Sequence, residues 1–219
     1  DDESVIALEG VKSLPNEMQV QYLAYKTLAA IRTQQLDLAE NVSKEAMSLS
    51  AGSAFSLLAQ AYIELANNNV ENAADLITKI NNVDANIPEV TMLSAQLATV
   101  KKDYKSASEH YQRYEKQQPN NRIIYLLIAN SLLKAEKYDE AEKLFVESIE
   151  MGRKYDPKGL SLGGNLHEYS ILLFKTGRQE EAFELLQQAL LIFKESGGEF
   201  TLIDIYQTVF KYHKNMLQL

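Results

Sequence analysis

The sequence has no cysteine. That excludes disulfides, cysteine-ligated zinc and thiol catalysis, and it leaves the compartment open. Only 9 glycines and 4 prolines stand among 219 residues. An all-β chain needs a turn roughly every 8–12 residues, so this is too few. No apolar run reaches the roughly 18 residues of a membrane-spanning helix, and no signal-peptide pattern is present. Direct membrane insertion is not expected, and both a cytoplasmic and a bacterial periplasmic location remain open. Basic residues are scarce in the first half: residues 1–100 carry 13 acids and 5 bases, whereas residues 101–219 carry 17 of each. Phosphate recognition needs clustered Lys and Arg, so nucleic acid is not an expected partner.

What is present is helix-forming. Ala, Leu, Glu, Gln and Lys dominate, and 46% of the residues are hydrophobic, enough for a sizeable core. The chain also repeats itself. "DYKSASEHY" at 103–111 and "KYDEAEKLF" at 137–145 share Tyr-x-x-Ala-x-x-x-aromatic, and Tyr104 and Tyr138 stand 34 residues apart. The alanine column runs Ala39, Ala73, Ala107, Ala141 and then Ala182, the last after an insertion of about seven residues placed in 152–164. Twelve residues before each alanine stand Thr27, Ala61, Ala95, Ala129 and Ser170, all small. Three before stand Leu36, Val70, Tyr104, Tyr138 and Gln179; four after stand Ser43, Ile77, Tyr111, Phe145 and Leu186.

The physical reading is a repeated helix pair whose two small columns let the backbones approach closely. The bulky flanking residues fill the space to the next pair. Turn signals such as Asn67-Asn68-Asn69, Lys102-Asp103 and Thr176-Gly177 separate the helices. Helices are expected near 16–33, 35–49, 53–66, 70–81, 88–101, 104–117, 121–135, 138–153, 160–176, 179–195 and 200–217. One position conflicts with the pattern. Glu64 shares a column with Ala30, Ala98, Leu132 and Leu173, and an unpaired buried carboxylate is costly. A shift of its helix by about two residues would relieve this.

These motifs resemble the tetratricopeptide repeat (TPR). "YLLIANSLLKAEKYDEAEKLFVESI" at 125–149 carries Tyr125, Ala129, Leu132, Tyr138, Ala141 and Phe145 of that pattern. "KDYKSASEHYQRYEKQQP" carries Tyr104, Ala107, Tyr111 and Pro119, and "LLFKTGRQEEAFELLQQAL" carries Gly177, Ala182, Leu186 and Ala189. The resemblance implies an all-α fold, a right-handed α-solenoid (the TPR superhelix) of about 11 antiparallel helices. A partial repeat would occupy 1–15. Full repeats would lie near 16–50, 53–86, 88–121, 122–155 and 160–196, with a terminal helix at 200–217, all in one repeat domain. Residues 2–14 read as a second helix without its first, and 199–219 are too apolar for a polar cap. A segment of a longer protein is therefore expected; the apolar ends would also suit a homodimer contact.

In such proteins the first helices line a concave groove that takes a peptide or another protein. Carried onto this chain, the groove would be built from Leu58, Tyr62, Met92, Gln96, Leu126, Asn130, Lys134, His167 and Lys175. Some relatives clamp chaperone C-terminal carboxylates with Lys, Asn and Arg. Here the matching first-repeat positions are Ala24 and Leu28, so that clamp is absent. The groove reads as apolar and amide-lined, suited to an extended or helical peptide.

No catalytic constellation emerges. His110, His167 and His213 are far apart in sequence, and none makes His-Glu-x-x-His. "GLSLGG" at 159–164 lacks the Gly-Lys-Ser/Thr of a phosphate loop, and no Gly-x-Ser-x-Gly elbow occurs. Neither a metal site nor a cofactor is expected. The sequence supports a non-enzymatic protein-interaction scaffold. The alternative is a regulatory or sensor input domain of a larger signalling protein, fused to a cyclase, kinase or transcriptional output module.

Overall fold

The computed structural model describes residues 15–119, 123–196, 203, 205–208 and 210. Every regular element among them is a helix. The helices are α1 (Asn16–Arg32), α2 (Leu36–Leu49), α3 (Ala54–Ala66), α4 (Val70–Val83), α5 (Pro88–Val100), α6 (Tyr104–Gln117), α7 (Ile123–Lys134), α8 (Tyr138–Tyr155), α9 (Leu160–Lys175) and α10 (Gln179–Glu195). Their ends fall within two residues of the spans expected from the repeat. The expected helix at 2–14 lies outside the described residues; of the one at 200–217, the described residues within 203–210 are helical. The chain packs as two compact units, Asp1–Tyr114 and Glu115–Leu219.

The two small columns explain the pairing. Thr27, Ala61, Ala95, Ala129 and Ser170 in the first helices, and Ala39, Ala73, Ala107, Ala141 and Ala182 in the second, are all 0% exposed. Side chains of this size let two helix backbones approach closely with no void left between them. The polar members are satisfied within their own helices. Thr27 Oγ1 donates to the Leu23 carbonyl at 2.8 Å, and Ser170 Oγ to the His167 carbonyl at 2.6 Å. The column four residues after each alanine is buried as well, from Ile77 at 7% exposed to Phe145 at 0%. Burying each large member there contributes about 1.5–3 kcal/mol.

The column three before each alanine behaves differently from expectation. Leu36, Val70, Tyr104, Tyr138 and Gln179 are the first residues of α2, α4, α6, α8 and α10. Being at helix starts, they lie against the turn rather than deep between pairs. Four are half-buried and Leu36 is 49% exposed.

One turn is used five times. Gln34, Asn68, Lys102, Glu136 and Gly177 have positive φ, between 59° and 83°. The next residue's amide donates back to the helix just ended: Gln35 to Ala30 (2.9 Å), Asn69 to Glu64 (2.8 Å), Asp103 to Ala98 (2.9 Å), Lys137 to Leu132 (2.9 Å) and Arg178 to Leu173 (2.9 Å). This is the Schellman arrangement, with a left-handed residue satisfying carbonyls the helix end leaves open. The spacing also decides the question raised by Glu64. α3 ends at Ala66, 34 residues after Arg32 and 34 before Val100, so no two-residue shift exists. Glu64 keeps its place half-buried, and its Oε2 accepts from Asn69 Nδ2 at 2.9 Å and Asn72 Nδ2 at 3.1 Å.

The insertion expected in 152–164 is mostly helix. α8 has 18 residues where α2, α4 and α6 have 14, and only 156–159 separate it from α9. Gly163 lies inside α9, where a Cβ would come within 2.9 Å of the Phe193 ring. The glycine there serves close helix packing rather than a loop.

A left-handed conformation costs a residue with a Cβ on the order of 1 kcal/mol. Glu136→Gly should therefore stabilise the chain by up to about 1 kcal/mol and raise Tm by about 2–4 °C. Glu147→Gly, the same change in the exposed middle of α8, should lower Tm. Thermal unfolding followed by circular dichroism distinguishes the two.

Candidate functional site

In the first unit, α1, α3 and α5 are the first helices of three successive pairs, and their side chains meet. Tyr25 of α1 donates its hydroxyl to Glu89 Oε1 of α5 at 2.9 Å, across 64 residues of sequence. Gln21 Nε2 lies 3.5 Å from the Tyr25 hydroxyl, and the Tyr25 ring packs against Phe55 with centroids 6.1 Å apart. Tyr62 of α3 belongs to the same group. Burial pushes its hydroxyl well above the usual tyrosine range, with the Glu89 charge adding to the rise and Arg32 opposing it. The Tyr25 hydroxyl is raised by burial as well. At neutral pH both tyrosines are neutral hydrogen-bond donors beside one carboxylate.

The expected groove residues of this unit divide by depth. Leu58, 0% exposed, and Tyr62, 5% exposed, belong to the hydrophobic core. Leu58 supports the face from behind and offers no surface. Met92 and Gln96 of α5 are half-buried, with part of each side chain at the surface.

In the second unit, Leu126 and Asn130 of α7 are half-buried, while Lys134 of α7 and Lys175 of α9 are exposed. The last two are the C-terminal residues of their helices, where a cation suits the helix dipole. Leu126 packs toward Gly164 of α9, where an added Cβ would be 3.7 Å from Leu126 Cδ2. The Asn130 amide oxygen is buried and has no hydrogen-bond partner among the described residues. His167 does not line an open surface. It is 7% exposed, and its Nε2 lies 3.0 Å from Thr208 Oγ1 in the helical segment that follows α10. Sequence spacing placed His167 in the right column but could not show that a later segment covers it.

A second network in this unit escaped the sequence reading. Tyr169 donates to Glu142 Oε1 at 2.6 Å, and Arg178 Nη1 donates to the same oxygen at 2.5 Å. Arg178 also grips Glu181 through Nε and Nη2, at 2.8 and 2.6 Å. The Tyr169 ring stacks on Phe145, with centroids 5.8 Å apart. The Tyr169 hydrogen bond holds the Glu142 carboxyl below its usual value, and Arg178 adds to the effect. Burial, reinforced by Glu142, pushes the Tyr169 hydroxyl up to about 12. These residues tie α8, α9 and α10 together. The signal for them was the aromatic Phe145 column; the charged partners follow no repeat.

Among the described residues no group of three or more His, Asp or Glu could hold a metal ion, and no described helix is long and apolar enough to cross a membrane. His110 is half-buried; burial and the neighbouring Arg113 lower its pKa.

Glu142 makes acid stability a measurable property. Its folded pKa lies below the ordinary value of 4.5. Its contribution is therefore complete above that value and is lost as the pH falls through the lowered one. Tyr169 works from the other side: its contribution is present below 10 and lost as the pH rises toward about 12. Glu142→Gln should lower Tm at neutral pH and flatten the decline of Tm below about pH 4.5. Thermal unfolding across that range checks both effects.

Two family models match the sequence. One, described as tetratricopeptide repeat, matches residues 120–195. The other, described as anaphase-promoting complex, cyclosome, subunit 3, matches residues 66–148. No curated protein matches the chain. Solved structures do. Pseudomonas aeruginosa pilF superposes with a TM-score of 0.62 at 14% identity, over 93% of this chain and 92% of that one. YrrB, described as a TPR protein with an unusual peptide-binding site, gives 0.59 at 15% identity, over 78% and 84%. A chain of the Cut9–Hcn1 hetero-tetramer of the APC/C gives 0.65 at 16% identity, over 79% of this chain but only 32% of that one. At these identities the likeness is one of fold, and it is the all-α fold of TPR solenoids. Helix pairs at a 34-residue period and one turn used five times agree with the tetratricopeptide-repeat model matched over residues 120–195: the chain is built of tetratricopeptide-type repeats.

Proposed function

We propose that the protein is a non-enzymatic interaction scaffold whose first-helix faces bind a segment of a partner protein. The observation that carries this reading is that Gln96 and Asn130, on the first helices α5 and α7, are only half-buried, so that each keeps part of an amide side chain at the surface. Such amides can pair with the backbone of an extended peptide laid along the helix, as α7 would offer at Asn130. The half-buried Leu126 beside it offers an apolar contact, and the exposed Lys134 and Lys175 favour an acidic residue on the peptide.

In the first unit Met92 and Gln96 combine an adaptable apolar side chain with an amide able to pair with peptide backbone. That YrrB is described as having a peptide-binding site adds support by analogy of fold alone.

A second copy of the chain is a competing partner. Ile203, Tyr206 and Phe210 are 55%, 52% and 72% exposed, and their spacing puts them on one helix face. Light scattering that gave a dimer for the wild type and a monomer for Phe210→Glu would favour this reading.

The test of the main reading is affinity capture from native cell extract with mass spectrometry as readout. Gln96→Arg/Asn130→Arg is the control, since both positions are half-buried and tolerate a long side chain better than the core position Tyr62. The expected result is a partner retained by the wild type and lost, by about tenfold or more, from the double variant. Equal retention by both would remove the first-helix faces from the account.

A further inference from the structure

Two positions depart from the repeat pattern in the first unit, and they face the same recess. Where Ile77, Tyr111, Phe145 and Leu186 fill the space after their alanines, the first pair has Ser43. Where Ala30, Ala98, Leu132 and Leu173 are buried, the second pair has Glu64. A recess of about 480 Å³ lies between α2 and α3, lined by both residues together with Met47, Gln60 and Ile63. A second of about 280 Å³ shares Met47, Gln60 and Glu64 with it and extends it to α4. The smallness of Ser43 leaves the volume open, and the carboxylate of Glu64 supplies a charge in its lining.

That carboxylate is half-buried and, among the described residues, is bonded to the amides of Asn69 and Asn72. Among the described residues it forms no ion pair. Lys44 and Glu40, which also line the recess, pair with each other at 3.4 Å. The site therefore combines apolar walls from Met47 and Ile63, an amide from Gln60 and, beyond the Lys44–Glu40 pair that also lines it, the carboxylate of Glu64, which has no ion pair among the described residues. An arginine fits this description: its stem matches the walls, and its planar guanidinium can reach a carboxylate and an amide oxygen together.

We infer that this recess receives an arginine side chain presented by a partner protein. Two residues along a helix is a rotation of about 200°, so Glu64 lies on the side of α3 away from Tyr62. The recess is independent of the first-helix face, and either assignment can fail without the other.

Methyl-labelled protein, the intact 219-residue chain, would be titrated with Nα-acetyl-arginine methylamide and followed through the Met47 and Ile63 methyl signals. The citrulline analogue, equal in shape and uncharged, is the comparison. The expected result is saturable shifts with the arginine probe and about tenfold weaker binding of citrulline. Ser43→Leu should abolish the shifts while Tm stays at or above the wild-type value, because the leucine fills the recess. Glu64→Gln should erase the preference for arginine over citrulline. Absent shifts, equal affinity for the two probes, or an unchanged titration in Ser43→Leu would overturn the assignment. So would a Glu64→Gln variant that loses Tm but keeps the arginine preference, since Glu64 would then only fasten the turn to Asn69 and Asn72. Methyl shifts that depend on protein concentration without any probe would give the recess to a second copy instead.

Discussion

The structure depends on how closely the two helices of a pair approach. Ten small side chains, one in each helix of five pairs, admit no solvent at all. A larger residue would force the helices apart and strand the apolar faces that the next pair covers. Everything else follows that spacing. The turn between helices is short, so one residue must turn left-handed even where the sequence supplies Gln, Lys or Glu rather than Gly. Large side chains fill the space left beyond these columns, as Ile77, Tyr111, Phe145 and Leu186 do four residues after their alanines.

The proposed binding positions lie where the packing constraint is relaxed. First-helix positions outside the small columns can carry polarity, and the half-buried Gln96 and Asn130 do so. A second-helix position that need not be filled becomes a recess, as at Ser43. In both cases the proposed chemistry is recognition. Tyr169, Glu142 and Arg178 meet at the Glu142 carboxylate, which accepts from the other two, and they join α8, α9 and α10. They act as internal ties, and their titration is a property of stability.

The sequence made the helix pairs legible because the chain is its own alignment: Ala39 to Ala182 and Thr27 to Ser170 repeat the same constraint five times. It made the turns only partly legible. Gly177 announces a left-handed residue, but Gln34, Lys102 and Glu136 carry no such mark, since there the tertiary packing overrides local preference. Glu64 looked like a conflict because its neutral partners, Asn69 and Asn72, come from the next turn and helix. Leu58 and His167 share columns with surface residues yet are buried, because depth is set by what packs over a position. For His167 that is Thr208, 41 residues away.

The most direct measurement is a double-mutant cycle on the two columns of one pair, with Ala129→Val and Ala141→Val made singly and together and their stabilities read by denaturant unfolding. If close helix approach at these columns governs the fold, the two changes press on one interface, and their effects should depart from additivity by about 0.5 kcal/mol or more. Strict additivity, with each valine acting as though the other were absent, would contradict the account.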